Sequence, residues 1–158
     1  MAVFYSFHYD RDVTRYHLIR NMGVVEGQRI LNSQEWEDVK KRGDAAIERW
    51  IDEQMKFKRA VVVLIGAQTA SRPWVNYEIH KAWDEKKPLV GVYIHRLKDI
   101  SGNTDFEGAD PFALIKAGDR PLSTWVPRYL PSGVDSQAVY ADINANLNRW
   151  VESAYARP

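Results

Sequence analysis

One stretch of the chain combines residue types and a spacing that could do chemistry. It is Ser71-Arg72-Pro73-Trp74-Val75-Asn76-Tyr77-Glu78-Ile79, which follows the apolar run Ala60-Val61-Val62-Val63-Leu64-Ile65. The stretch reads as a buried strand, a loop and a helix with a carboxylate in its first turns. Glu78 follows Trp74 by four positions, so the two side chains share a helix face. An aromatic wall beside a carboxylate suits a flat, cationic or sugar-linked substrate. Open α/β sheets bind ligands at the carboxyl ends of their strands, and this pair would lie there. A plainer reading keeps Glu78 solvated and paired with Lys81 or Lys86, and makes Trp74 a packing anchor.

Other chemistries find little support. His8, His17, His80 and His95 show no pair at ligand spacing and no His-Glu-x-x-His arrangement, so no metal site is expected. Each reads as a surface or core imidazole. No glycine-rich phosphate loop is present, and no serine sits in a Gly-x-Ser-x-Gly elbow. Asp10 and Asp12 follow the first apolar segment, as the acidic pair of a response regulator would. The run at 60–65 is followed by Gly66-Ala67-Gln68, without the phosphoacceptor aspartate that such a protein needs. Helix capping is the simpler role for both aspartates.

Alternating elements would position the Trp74–Glu78 pair. Residues 3–7 are aromatic and apolar and predict a first strand. A helix follows over 10–21, with Asp10 or Asp12 as N-cap, Gly23 as stop, and Val13, Tyr16, His17 and Arg20 on one face. Residues 24–32 are ambiguous, with a short strand near 29–31. A helix over 44–56 carries Ile47, Trp50, Ile51 and Met55 at helical spacing. The run at 60–65 lacks alternation, as a central parallel strand covered on both faces would. Pro73 suits the first position of the next helix, which runs to about Lys86 with Val75, Ile79, Ala82 and Trp83 inward. Residues 89–94 form another strand. Residues 96–134 hold four prolines and four glycines and lose periodicity. Such a long loop is often functional, here as a lid or a sensor surface. A short element near 111–116 and an edge strand near 124–126 are expected within it. A last helix, 136–155, places Val139, Ile143, Leu147, Trp150 and Val151 on one stripe. The order predicts an α/β fold with a mostly parallel sheet, right-handed crossovers and a single domain over 1–158.

The bulk numbers narrow the setting. With 45% hydrophobic and 27% charged residues over 158 positions, the chain is an ordinary globular protein with room for a core. A net charge of +1 gives no general pull toward nucleic acid or an anionic membrane. Cysteine is absent, which excludes disulfides and thiolate chemistry and fits a reducing compartment. No signal peptide or membrane-spanning run is read, so a cytoplasmic location is expected.

Three sets of residues resemble a known family. The opening Val3-Phe4-Tyr5-Ser6-Phe7, with Asp10 after it, looks like the first motif of TIR (Toll/interleukin-1 receptor) domains. Trp74-Val75-Asn76-Tyr77-Glu78-Ile79 resembles the Trp-x-x-x-Glu segment that carries the catalytic glutamate of NAD-cleaving TIR enzymes. The later run Lys87 to Asp99, continuing through Gly102 and Gly108-Ala109-Asp110-Pro111-Phe112, is similar to the bacterial branch typified by Thoeris anti-phage proteins. Residues 25–32 lack the Arg-Asp-x-x-Pro-Gly motif of receptor-type domains, which argues against a receptor adaptor.

The resemblance implies a flavodoxin-like, TIR-like three-layer fold with helices on both faces of the sheet. It implies cleavage of the nicotinamide–ribose bond of NAD+, with NAD+ as substrate and no other cofactor. Glu78 would be the catalytic residue. Ser6, Phe7, His8 and Asp10 would line the same crevice, with Phe7 and Trp74 as stacking walls and Ser6 or Asp10 as polar contacts. The product would be a cyclic ADP-ribose-type signal that activates a separate effector. Homo-oligomeric composite sites and a phage-derived trigger are further implications. A non-enzymatic TIR-type interaction module and a nucleoside deoxyribosyltransferase-like enzyme are the rival readings.

Overall fold

The computed structural model describes residues 2–158. The chain forms β1 (Phe4–Ser6), α1 (Tyr9–Asn21), α2 (Ser33–Lys41), α3 (Asp44–Met55), β2 (Val61–Ile65), α4 (Pro73–Asp84) and β3 (Leu89–Tyr93). It continues through α5 (Pro111–Leu114), β4 (Lys116–Ala117), β5 (Arg120–Pro121), β6 (Arg128–Tyr129) and α6 (Ser136–Glu152). The main sheet has the order β1-β2-β3-β6 and every pairing in it is parallel. Strands β4 and β5 form a separate antiparallel pair.

The three layers follow from the pleat of β2, all five of whose residues are buried. Val62 and Leu64 join one core with Tyr16 and Ile19 of α1 and Val139, Ile143 and Leu147 of α6. Val61, Val63 and Ile65 join the other with Ile47 and Ile51 of α3 and Val75 and Ile79 of α4. Alternate side chains of one strand thus feed opposite faces, which is why an unbroken apolar run is needed there. Pro73 opens α4 at its first turn, and Trp150 and Val151 complete the α6 stripe.

The structure corrects the sequence reading in five places. No strand forms near 29–31. The Gln28 side-chain amide occupies the free edge of β1 instead: Tyr5 N–H donates to Gln28 Oε1, and Gln28 Nε2 donates to Tyr5 O, both at 2.8 Å. One side chain thereby satisfies two ladder groups that a neighbouring strand would have taken. The edge strand is β6 at 128–129, not 124–126, because Val126 N turns back to Leu122 O while Pro127 O accepts from Gly91 N. Helix α2 went unread. Its signal is the capping box between Asn32 and Glu35, and it buries no residue completely. The N-cap of α1 is His8 rather than either aspartate. Finally, α1 buries Asp12, Arg15, Tyr16 and Ile19 and leaves His17 and Arg20 exposed, because an ion pair occupies half of its inner face.

Residues 96–106 are irregular but anchored to α1. Arg15 Nε donates to Leu97 O at 2.7 Å and its Nη2 to Asn103 O at 3.0 Å. Arg11 grips Asp105 through two bonds, of 2.7 and 3.0 Å. Further along, Asp110 caps α5 and pairs with Arg128 of β6 at 2.8 Å.

Candidate active site

A crevice of about 740 Å3, part of it open to solvent, lies at the carboxyl end of β1. Its walls come from the β1–α1 connection, the 28–31 segment, α2, α3 and the start of α4. None of its lining residues comes from 96–134, so that segment forms no lid over it here.

Glu78 sits on the crevice wall at 8% exposure, one turn into α4 from Trp74. Ser6, the last residue of β1, donates its hydroxyl to Glu78 Oε1 at 2.6 Å. Among the described residues no cation pairs with this carboxyl. Lys81 is committed elsewhere, to Asp52 at 3.3 Å and Glu85 at 2.9 Å. The solvated, lysine-paired reading of Glu78 is therefore overturned. Burial pushes the Glu78 carboxyl up to about 8, against a smaller downward pull from the Ser6 hydroxyl. Taking a charge out of water without a counter-charge favours the neutral acid. Burial thus biases this carboxyl toward its neutral form near neutral pH.

The other sequence-designated residues gather around this group. Phe7, His8, Asp10 and Trp74 line the same crevice as Glu78, and Ser6 reaches it through its bond to the carboxyl. Phe7 stacks on Tyr16 with centroids 4.7 Å apart and planes 5° apart, so its ring is held from behind. Trp74 meets Tyr77 edge-on at 5.7 Å. Tyr77 in turn donates to Asp52 of α3 at 2.8 Å, which ties the two helices beneath the crevice. His8 is buried, and its Nδ1 accepts from Arg11 N at 3.4 Å. Burial, then the positive charge of Arg72, holds the imidazole below its ordinary value, which favours its neutral form. Asp10 lies exposed at the rim.

Sequence reasoning missed Tyr9, Trp36, Trp50 and Arg72, which also line the crevice. Trp36 arrives on α2, the helix that went unread, and meets Tyr9 at 6.4 Å. Tyr9 donates its hydroxyl to Leu31 O at 2.9 Å, and Tyr5 donates to Val25 O at 3.0 Å. These bonds and the Gln28 amide hold the 24–32 segment as a fixed wall. Among the described residues no three His, Asp or Glu side chains converge in a way that would hold a metal ion. No helix among them is long and apolar enough to cross a membrane.

A parallel α/β/α sandwich whose Trp-x-x-x-Glu helix meets the end of the first strand is a TIR-like arrangement. The family described as Thoeris protein ThsB, TIR-like domain, matches residues 4–99, and the chain belongs to it. A candidate cyclic ADP-D-ribose synthase, ThsB1, of Bacillus cereus (strain MSX-D12), is 36% identical over 115 residues. The match covers 70% of this chain, and the chain spans 60% of the length of that relative.

Proposed function

We propose that this protein cleaves the nicotinamide–ribose bond of NAD+ and releases a cyclic ADP-ribose-type signal in anti-phage defence. Family membership and the name of the Bacillus cereus relative support the reaction class. The observation that carries it is a buried carboxyl on the wall of an aromatic crevice that, among the described residues, has no cationic partner and is bonded to a hydroxyl. Such a group is stored for a ligand that brings its own positive charge.

The substrate brings that charge. The nicotinamide ring of NAD+ is a pyridinium cation, and Phe7 and Trp74 offer faces for it to stack on. Its approach favours ionisation of Glu78, which then stands beside the ribose. As the C1′–N bond breaks, its electron pair passes to the ring nitrogen, so nicotinamide leaves neutral and no acid has to protonate it. Positive charge moves to the ribose as an oxocarbenium-like centre, which the carboxylate stabilises. Ser6 holds the carboxylate in position. Capture of C1′ by water gives ADP-ribose and a proton; capture by the adenine ring of the same molecule gives the cyclic product. Apolar walls that exclude water favour the second outcome. We read Asp10 as a contact for the substrate's polar groups and His8 as a neutral lining residue. Assembly of copies, a phage-derived trigger and a separate effector that reads the signal complete the proposal, with the reaction drawing on the cytoplasmic NAD+ pool.

Mass spectrometry of purified protein incubated with NAD+ tests this reading. Wild type is expected to release nicotinamide and an ADP-ribose-type nucleotide in equal amounts, and Glu78→Gln to lose about 10³-fold in turnover. Below pH 8, kcat/KM rises with pH as the carboxylate forms, then levels. Unchanged turnover in Glu78→Gln removes the residue from the mechanism. Base exchange on deoxynucleosides, with NAD+ untouched, would instead mark a deoxyribosyltransferase.

A further inference from the structure

We infer that Arg72 binds the diphosphate of the substrate and makes the crevice select dinucleotides over nicotinamide nucleosides. The inference rests on the proposed NAD+ reading and names a residue which that reading leaves without a role. Among the described residues, Arg72 is the only lysine or arginine lining the crevice. It is exposed and makes no ion pair with any of them. The acidic side chains on the walls are Asp10 and Glu78, neither of which offers a phosphate a positive charge. A ligand with a cationic ring at one end and two phosphate charges in its middle needs a cation placed away from those carboxylates.

The geometry supplies that separation. Arg72 is the residue at the N-cap of α4 and Glu78 lies on the same helix six positions on. Six helical residues rise about 9 Å. The diphosphate begins at the 5′-oxygen of the ribose that Glu78 would face, so a dinucleotide with its ring inside the crevice leads its phosphates outward. Arg72 stands at the solvent end of that path. Its charge acts on His8, from the β1–α1 connection, so its field reaches the crevice side of the rim. A guanidinium presents a planar fork of donors that suits phosphate oxygens, where a lysine would offer only a point charge.

Binding to wild type, Arg72→Gln and Arg72→Lys separates the possibilities, with NAD+ and nicotinamide riboside as probes and the quenching of crevice tryptophan fluorescence as readout. The riboside keeps the cationic ring and its sugar and lacks the diphosphate. Arg72→Gln is expected to weaken NAD+ about 10-fold and the riboside less than twofold. Arg72→Lys recovers part of the NAD+ loss, and added salt weakens NAD+ more in wild type than in Arg72→Gln. Equal losses for both probes, or none for either, overturn the assignment, as does failure of wild type to bind NAD+. If Arg72→Gln discriminates between the probes yet wild type never releases nicotinamide, the proposed reaction fails while the role of Arg72 stands.

Discussion

Two buried carboxyls, Asp12 and Glu78, occupy comparable places in the fold and have been treated in opposite ways. Each lies on a helix that follows a strand of the parallel sheet, and burial pushes each above the usual carboxylate range. Asp12 is fully buried against Arg15, itself at 1% exposure, with Nη1 to Oδ1 at 2.8 Å. The rest of that guanidinium holds the 97–103 loop by two carbonyls. The backbone closes in as well: a Cβ on Gly66 would stand 2.1 Å from Asp12 Oδ2, so only glycine fits there. Among the described residues Glu78 has no cationic partner; its carboxyl meets the Ser6 hydroxyl on the wall of the crevice. A carboxyl whose charge is matched within the protein holds structure together. One left without a match stores a capacity for interaction, at a cost in stability.

The contrast can be broken most forcefully at Arg15. Arg15→Leu leaves Asp12 buried without its cation and should cost about 3–5 kcal/mol in urea unfolding. Adding Asp12→Asn removes the stranded charge and should recover part of that loss. If Arg15→Leu costs no more than an exposed substitution, the paired corner is not structural and the comparison fails.

A comparable effect should come from pH acting on Glu78. An unfolded glutamate titrates near 4.5, whereas in the folded protein the group titrates at about 8. Between those values the folded protein holds a proton that the unfolded chain releases. The contribution is therefore whole below pH 4.5, falls as pH rises, and is lost above 8. Glu78→Gln has no such proton to lose and should be more stable than wild type at pH 8.5 by about 4–5 kcal/mol, with the difference much reduced at pH 5. Thermal melts of the two proteins across that window measure it. Parallel pH dependence in both would mean that Glu78 pairs with a cation in solution.

The smallest effect belongs to the outer clamp. Arg11 is partly exposed where it grips Asp105, so Arg11→Ala should cost far less than Arg15→Leu and leave the crevice unaltered. Differential scanning calorimetry beside Arg15→Leu sets the inner and outer pairs on one scale.

Much of the frame was legible in advance because its signals are local. The apolar runs of β2 and β3, Pro73 at the start of α4 and the Val139–Ile143–Leu147 stripe of α6 each show their period within a few residues. The site was legible in part, since Trp74 and Glu78 lie four apart on one helix face. Trp36 was missed together with its helix, whose only strong signal was the Asn32–Glu35 capping box. Arg72 stood within the stretch that drew attention first, yet nothing in spacing alone distinguishes an arginine on a crevice rim from any solvated one.

The amino-acid sequence by itself determined a parallel α/β framework and the family to which the chain belongs, because both rest on short-range patterns of burial and spacing. Tertiary structure alone decided what its polar residues do. It brought Ser6 to Glu78 across 72 positions and Arg15 to Leu97 across 82. It also let the Gln28 side chain stand in for a strand beside β1. A buried charge is defined by what surrounds it, and those surroundings are assembled from distant parts of the chain only on folding.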